Sequence, residues 1–224
     1  MRTAKTVLTV IQERGKQKKP IERVYKLLFN RELYLNAYAK LYPNNGAMTK
    51  GVTDETVDGM SIQKIDRMIE ILREEKYQWK PARREYIKKK NGKKRPLGIP
   101  VWGDKVLQEV MRQILEAYYE PQFSEHSHGF RPNRGCHTAL QEIQVWKGTR
   151  WFIEGDISQY FDTIDHKILL EILARNIHDG RFIRLVSNML EAGYLEEWKF
   201  NQTISGVPQG GVISPILANI YLNE

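Results

Sequence analysis

The stretch Arg150–Asp165, Arg-Trp-Phe-Ile-Glu-Gly-Asp-Ile-Ser-Gln-Tyr-Phe-Asp-Thr-Ile-Asp, constrains the chain most. It opens apolar and β-prone at Trp151, Phe152 and Ile153, then delivers an acid, Asp156, where the run ends. Residues of this kind predict a strand. A carboxylate at a strand terminus is held by rigid backbone, which suits a metal ligand. Phe161, a short turn further on, is placed to wall a pocket beside that metal. The same residues also describe a half-buried strand whose acid caps the next turn. By themselves they leave both readings open.

Length and composition narrow the choice. A chain of 224 residues, 41% hydrophobic and 10% aromatic, can build one large domain or two small ones around a sizeable core. Its net charge of +8 favours a polyanionic partner, with nucleic acid ahead of membrane. The single cysteine, Cys136, excludes an intramolecular disulfide framework and fits a reducing compartment. No apolar run approaches the roughly 20 residues of a membrane span, and no signal-peptide core follows the basic N-terminus. The expected setting is the cytoplasm, with no membrane partner.

Along the chain, residues 1–20 are basic, with Lys16, Lys18 and Lys19 in one run, and are expected to form a mobile arm or a short helix. A helical pattern begins at Ile21, with Pro20 in position to open it and a break near Asn30. Residues 42–60 are turn-rich. Ser61 is expected to cap a helix whose face carries Ile62, Ile65, Met68, Ile69 and Leu72. Tyr86–Leu97 has the form of a hairpin around Asn91-Gly92. Its flanks hold Arg83, Arg84, Lys88, Lys89, Lys90, Lys93, Lys94 and Arg95. So many cations on one ribbon repel each other unless an anion such as phosphate offsets them; the alternative is a charged edge that blocks aggregation.

Asp104 is expected to cap a helix with Val106, Leu107, Val110, Met111, Ile114, Leu115 and Tyr118 on one face, ended by Pro121. His126 and His128 lack a second pair at zinc spacing, so their loop is expected to be held by hydrogen bonds, with Arg131 and Arg134 free to meet phosphates. A helix over about 137–147, one capped by Asp165, and one over Phe182–Leu190 follow, then a strand over Trp198–Ile204. A glycine-flanked loop then feeds a last helix, and at Gly206, Gly210 and Gly211 no side chain obstructs a ligand's approach to the backbone.

Taken together, these segments resemble a known family. Asp156-Ile-Ser-Gln-Tyr-Phe-Asp resembles the first catalytic carboxylate motif of a reverse transcriptase palm, and Val207-Pro-Gln-Gly-Gly-Val-Ile-Ser-Pro the Pro-Gln-Gly motif of that palm. Arg83–Pro100 resembles the fingers hairpin. Ser127-His-Gly-Phe-Arg-Pro-Asn-Arg134, with the Gly46-to-Gly59 loop, is similar to bacterial group II intron-encoded reverse transcriptases, or maturases. The resemblance covers roughly residues 21–224.

It implies an α+β fold: right-hand polymerase fingers plus an incomplete palm, helix-rich, with a basic β-hairpin and a small antiparallel palm sheet. The implied divisions are a basic arm over 1–20, fingers over 21–145 and a partial palm over 146–224. The implied chemistry is attack of a primer hydroxyl on a nucleotide α-phosphate, aided by two divalent metals about 4 Å apart. Asp156 would be the first catalytic carboxylate, binding Mg2+ together with the carbonyl of Ile157. Mg2+ takes few protein ligands, so a sparse supply is reasonable. Arg83, Lys89 and Arg95 would hold the nucleotide triphosphate, Phe161 would sit under its sugar and exclude a ribose 2′-hydroxyl, and Gln209 would hold it against the template base. Lys16, Lys18, Lys19, Lys93, Lys94, Arg131, Arg134 and Gly210 would contact nucleic acid. Asp162 and His166 read as structural. The implied partners are group II intron RNA, an RNA template with a DNA primer, and dNTP; a second copy of the chain is expected because the strand carrying Asp156 would lack its neighbouring hairpin, and an unpaired edge is prone to self-association.

One departure is large. The family carries a second acidic motif, usually Tyr-Ala-Asp-Asp, after the Pro-Gln-Gly helix, and no Asp-Asp pair occurs here. The expectation is a fragment that lacks two-metal catalysis alone, since one carboxylate cannot hold both ions. A non-catalytic RNA-binding module with a vestigial palm is the competing reading. An RNA-dependent RNA polymerase palm is a weaker third, disfavoured by Phe161.

Overall fold

The computed structural model describes residues 2–88, 92, 94–207 and 210–224. Lys89, Lys93 and Gln209, together with Asn91 of the expected hairpin turn, lie outside the described residues.

The basic N-terminal segment takes the helical alternative. Helix α1 (Ala4–Lys16) is capped by Thr3, whose hydroxyl accepts the Thr6 N–H at 3.2 Å. It is docked rather than mobile: Ala4, Ile11 and Gly15 are buried, and the Tyr118 hydroxyl donates to the Lys19 carbonyl at 3.0 Å. Beyond Pro20 the chain extends instead of starting a helix. Strand β1 (Ile21–Glu22) is followed by a 3-10 turn over Val24–Phe29. The break expected near Asn30 is the cap of α2 (Arg31–Leu41): its side chain accepts the Glu32 N–H and donates to the Arg2 carbonyl.

Ser61 caps α3 (Ile62–Arg73) as expected, accepting the Lys64 N–H at 3.2 Å. Ile65, Ile69 and Leu72 are buried, whereas Ile62, in the first turn, is half exposed. Strands β2 (Ala82–Lys88) and β3 (Lys94–Ile99) form the antiparallel hairpin, with Gly92 at φ +77° between them.

Helix α4 (Trp102–Tyr119) is the axis of the molecule, and α1 and α2 pack directly along it. Burial is not confined to one face, because Trp102, Asp104, Lys105, Gln108 and Glu109 are buried along with the expected apolar residues. Each Leu, Ile or Val enclosed here contributes about 1.5–3 kcal/mol. Asp104 does not cap the helix. Val101 is the N-cap residue, and the Asp104 carboxylate instead accepts the Tyr77 hydroxyl at 2.7 Å and the Lys80 N–H at 3.0 Å. It clips the strand-entry segment 77–80 to the helix.

The remaining elements are α5 (Cys136–Gln144), the single turn α6 (Tyr160–Thr163), α7 (His166–Asn176), β4 (Ile177–His178), α8 (Gly180–Leu190), β5 (Tyr194–Glu196), β6 (Lys199–Asn201) and α9 (Ser214–Leu222). Asp165 caps α7, accepting the Ile168 N–H at 3.0 Å.

The sheets are mixed rather than purely antiparallel. β1 pairs in parallel with β4, and a four-stranded sheet runs β3-β2-β5-β6 with β2 and β5 parallel. One buried apolar cluster runs from Ala4 to Ile220.

Trp151–Asp156 forms no strand. Among the described residues nothing pairs with it, and Trp151, Phe152 and Ile153 are 87%, 68% and 93% exposed. β-propensity reflects fit to a pleated, half-buried surface rather than a backbone preference, and these residues have no neighbouring strand to supply one.

Candidate nucleotide and nucleic-acid site

The hairpin sorts its cations by register. Arg83 pairs with Ile99, Glu85 with Leu97 and Ile87 with Arg95, so Arg83, Arg95 and Leu97 share one face. Arg84, Tyr86, Lys88 and Lys94 share the other. The Arg84 guanidinium lies 3.6 Å from the Tyr194 ring centroid, and the Lys94 ammonium 5.9 Å from that of Tyr86.

The Arg83–Arg95 face meets the glycine loop. A Cβ on Gly210 would stand 2.7 Å from Leu97 Cδ1 and 2.8 Å from the Gly98 carbonyl oxygen, and its φ of +109° also requires glycine. The close approach expected at this glycine is therefore made by the chain's own hairpin. Behind the loop, Gln108 of α4 accepts the Val212 N–H at 2.9 Å.

Arg83 is aimed by a relay from α4. Its Nε and Nη2 donate to the Lys50 carbonyl at 3.1 and 2.9 Å, and it also pairs with Glu85. The Lys50 segment is in turn held by Lys105, whose buried ammonium donates to the Gly46 and Thr49 carbonyls at 3.2 and 2.9 Å. Burial, and the charge of nearby Arg83, push the Lys105 ammonium below its ordinary value. Gly51 lies so close to Val101 that a Cβ would come within 2.7 Å of its backbone nitrogen. Lys105 gave no signal in the sequence, because it sits inside the apolar helical run. Arg95 and Lys94 are exposed.

The Phe161 turn is knitted to the same loop. The Val207 N–H donates to the Phe161 carbonyl, and the Gly206 N–H to the Ile164 carbonyl, both at 2.8 Å. His166 Nε2 lies 2.7 Å from the Gly206 carbonyl, and the Tyr160 hydroxyl donates to the Ala218 carbonyl at 2.7 Å. Gly206 is needed here, since a Cβ would press on Asp162 and Phe161 backbone atoms at 2.9 Å. The Phe161 ring is edge-on to Tyr160 and to Phe130, with centroids 5.8 and 6.3 Å apart. Phe130 holds a φ of +55° and is 69% exposed beside this turn, a neighbour that reading the sequence did not identify.

Asp156 and Ile157 are exposed on the irregular stretch that precedes this turn. Among the described residues, no group of three His, Cys, Asp or Glu side chains could hold a metal ion. The donors at 156 and 157, one carboxylate and one carbonyl, are hard oxygens of the kind a divalent cation such as Mg2+ accepts.

Arg131 is not free for phosphate. It is buried, forks onto the Glu120 carboxylate at 2.9–3.1 Å, and donates to the Ser124 and Ser127 carbonyls at 2.6 and 2.7 Å. Its role is to close the loop that the two histidines also pin. His128 lies 2.8 Å from both Thr138 and Glu142, His126 contacts the same carboxylate, and the two hold the Glu142 carboxyl below its usual range. Arg134 donates to the Glu125 carbonyl but remains partly exposed. At the N-terminus, Lys16 pairs with Glu13 at 2.7 Å, while Lys18 and Lys19 lie on the surface beyond α1.

A fingers-type hairpin against a glycine loop, beside an aromatic turn that follows an exposed acid, defines a polymerase-like fold. The family profile described as "Reverse transcriptase (RNA-dependent DNA polymerase)" matches residues 87–224, and the chain belongs to that family. Its relatives bear out the likeness to group II intron-encoded proteins. The chain is 52% identical over 204 residues to "Group II intron-encoded protein LtrA" of Lactococcus lactis subsp. cremoris, covering 90% of this chain and 34% of that protein. It is 47% identical over 229 residues to "Uncharacterized 91 kDa protein in cob intron" of Schizosaccharomyces pombe, covering 99% and 28%. Among solved structures, a chain of the "Partial Cas6-RT-Cas1--Cas2 complex" shares the fold with a TM-score of 0.59 at 20% identity, over 89% of this chain and 34% of that one. The chain thus spans about a third of the length of these proteins.

Proposed function

We propose that this chain supplies the fingers and the first part of the palm of an RNA-directed DNA polymerase of the group II intron type, which also binds its intron RNA and assists splicing. The observation that carries the proposal is that the hairpin face bearing Arg83 and Arg95 packs, through Leu97, against Gly210 of the loop whose Gly206 and Val207 are bonded to the Phe161 turn. Phosphoryl transfer asks a protein for positioning and charge neutralisation, which this arrangement offers. Arg95 meets the triphosphate directly, and Arg83 does so by exchanging Glu85 for phosphate while keeping its grip on the Lys50 carbonyl. Phe161 sits under a deoxyribose, and Lys18, Lys19, Lys94 and Arg134 meet nucleic-acid backbone. Asp156 and the Ile157 carbonyl hold Mg2+, which when bound supplies charge stabilisation at the reacting phosphate. A second metal needs carboxylates beyond those described.

Asp156→Asn in the complete protein tests this reading. Primer extension on an RNA template is expected to fall by at least about a thousandfold, with RNA affinity held within about twofold. Unchanged extension would leave only the RNA-binding module. The strand edge expected there is not formed, but Trp151, Phe152 and Ile153 make an exposed apolar patch of the kind that drives self-association. A dimer is therefore expected in sedimentation of the 224-residue chain at tens of micromolar, and a monomer there would remove the second copy from the proposed partners. The cytoplasm is the proposed location.

A further inference from the structure

A second cavity lies away from the Asp156 site, on the side of the molecule where α3 meets the start of α4. Its volume is about 580 Å³, room enough for a nucleobase. Part of the lining is apolar and aromatic, with Met68, Ile71 and Trp102. The rest carries charge: Lys64, Arg67, Lys76 and Lys80 against Glu55 and Asp104. Both acids are engaged, Glu55 with Lys64 at 3.1 Å and Asp104 with Tyr77 and the Lys80 N–H. Lys76 pairs with Glu74 at 3.0 Å outside the lining, and the lining itself keeps a cationic balance.

Two further observations call for a ligand with acceptor atoms. The first turn of α4 borders the cavity, and among the described residues no side chain caps this 18-residue helix. The first-turn N–H groups of such an end seek acceptor atoms, while the Asp104 carboxylate in the same turn already answers its preference for negative charge. Trp102 is only 2% exposed, yet among the described residues its indole N–H has no hydrogen-bond partner. A buried donor left unsatisfied is costly, and a base carbonyl or ring nitrogen would satisfy it. Apolar walls, an orphan donor and a cationic rim suit one nucleotide of a single strand, with the base enclosed and the phosphates at the rim.

We propose that this cavity binds one unstacked nucleotide of a single-stranded RNA segment, with the base among Trp102, Met68 and Ile71 and the flanking phosphates on Arg67, Lys76 and Lys80. The proposal rests on the RNA-binding reading above and names a place for it that is separate from the polymerase site.

The test uses the 224-residue chain and a single-stranded RNA dodecamer carrying 5-iodouracil, measured by fluorescence anisotropy and by photo-crosslinking with peptide mapping. Crosslinks are expected in the peptides carrying Met68 or Trp102. Arg67→Glu combined with Lys76→Glu is expected to weaken binding by at least about tenfold and to flatten its salt dependence. Met68→Trp, which fills the cavity without changing charge, is expected to abolish those crosslinks. Circular dichroism establishes that the variants are folded. If the RNA binds all three proteins equally and crosslinks elsewhere, the cavity assignment falls while RNA binding stands. If the unaltered chain binds no RNA, both fall.

Discussion

Arg131→Met is expected to lower the unfolding free energy by about 3 kcal/mol, read as a shift in the urea midpoint. The substitution keeps the side-chain bulk over Phe123 and removes the guanidinium that holds Glu120 and two carbonyls. Stripping one partner from a buried ion pair leaves the other charge uncompensated, which costs about 3–5 kcal/mol. The lower end applies, because the Glu120 side chain keeps 22% exposure. RNA affinity of the folded variant should change little. Unaltered stability with RNA binding lost would return Arg131 to the phosphate-contacting role that its motif suggested.

The second large effect depends on pH. Burial raises the Asp104 carboxyl to about 6 from 3.8, against the opposing hydrogen bonds from Tyr77 and Lys80. A shift of that size corresponds to about 3 kcal/mol. The sign follows from linkage: as pH rises from about 4 to 6, the unfolded chain ionises first, and the fold loses stability. The penalty is fully present above about pH 6 and absent below about pH 4. Asparagine carries no such penalty. Its carbonyl can still accept the Lys80 N–H, and its amide can donate to the Tyr77 oxygen. Asp104→Asn is therefore expected to gain on the parent by up to about 3 kcal/mol between pH 4 and pH 7, compared by parallel urea melts at each pH. A constant difference across that range would mean that Asp104 ionises in the fold as freely as in water.

These two residues also show where reading the chain succeeds and where it stops. Local signals carried far. Ser61, Asn30 and Asp165 were legible as a helix start, a break and another start, because each acts on backbone within three residues. The hairpin was legible for the same reason. Asp104 offered the same local signal, but its partners lie on a segment that folds back from 24 and 27 residues earlier. Arg131 sits in a loop that looks like a phosphate clamp, and Glu120 neutralises it from 11 residues upstream. The strand expected at Trp151–Ile153 failed differently: residue type can favour a strand, but only a neighbour can complete one. The parallel pairing of β2 with β5 had no local mark either, since it joins residues more than a hundred positions apart through a single short register. At the proposed nucleotide site, the aromatic turn, the glycine loop and the hairpin were legible as separate motifs. Their mutual hydrogen bonds, and the Lys105 relay behind Arg83, became visible only in three dimensions.

The pairing of β1 with β4 bears on how this molecule is made. Ile21 finds its strand partner at Ile177, and the Tyr25 N–H finds its acceptor in Asp179, 154 residues later. Ribosomes add roughly 5–20 residues per second, so a nascent chain waits about 10–30 s between emitting the first partner and the second. Throughout that wait the Val24–Phe29 turn, which packs against both α3 and α8, lacks the α8 part of its cover. Vectorial synthesis thus leaves the start of this fold unfinished until α8 has emerged, and the segment ahead of α2 is where a holding chaperone would find its longest-lived target.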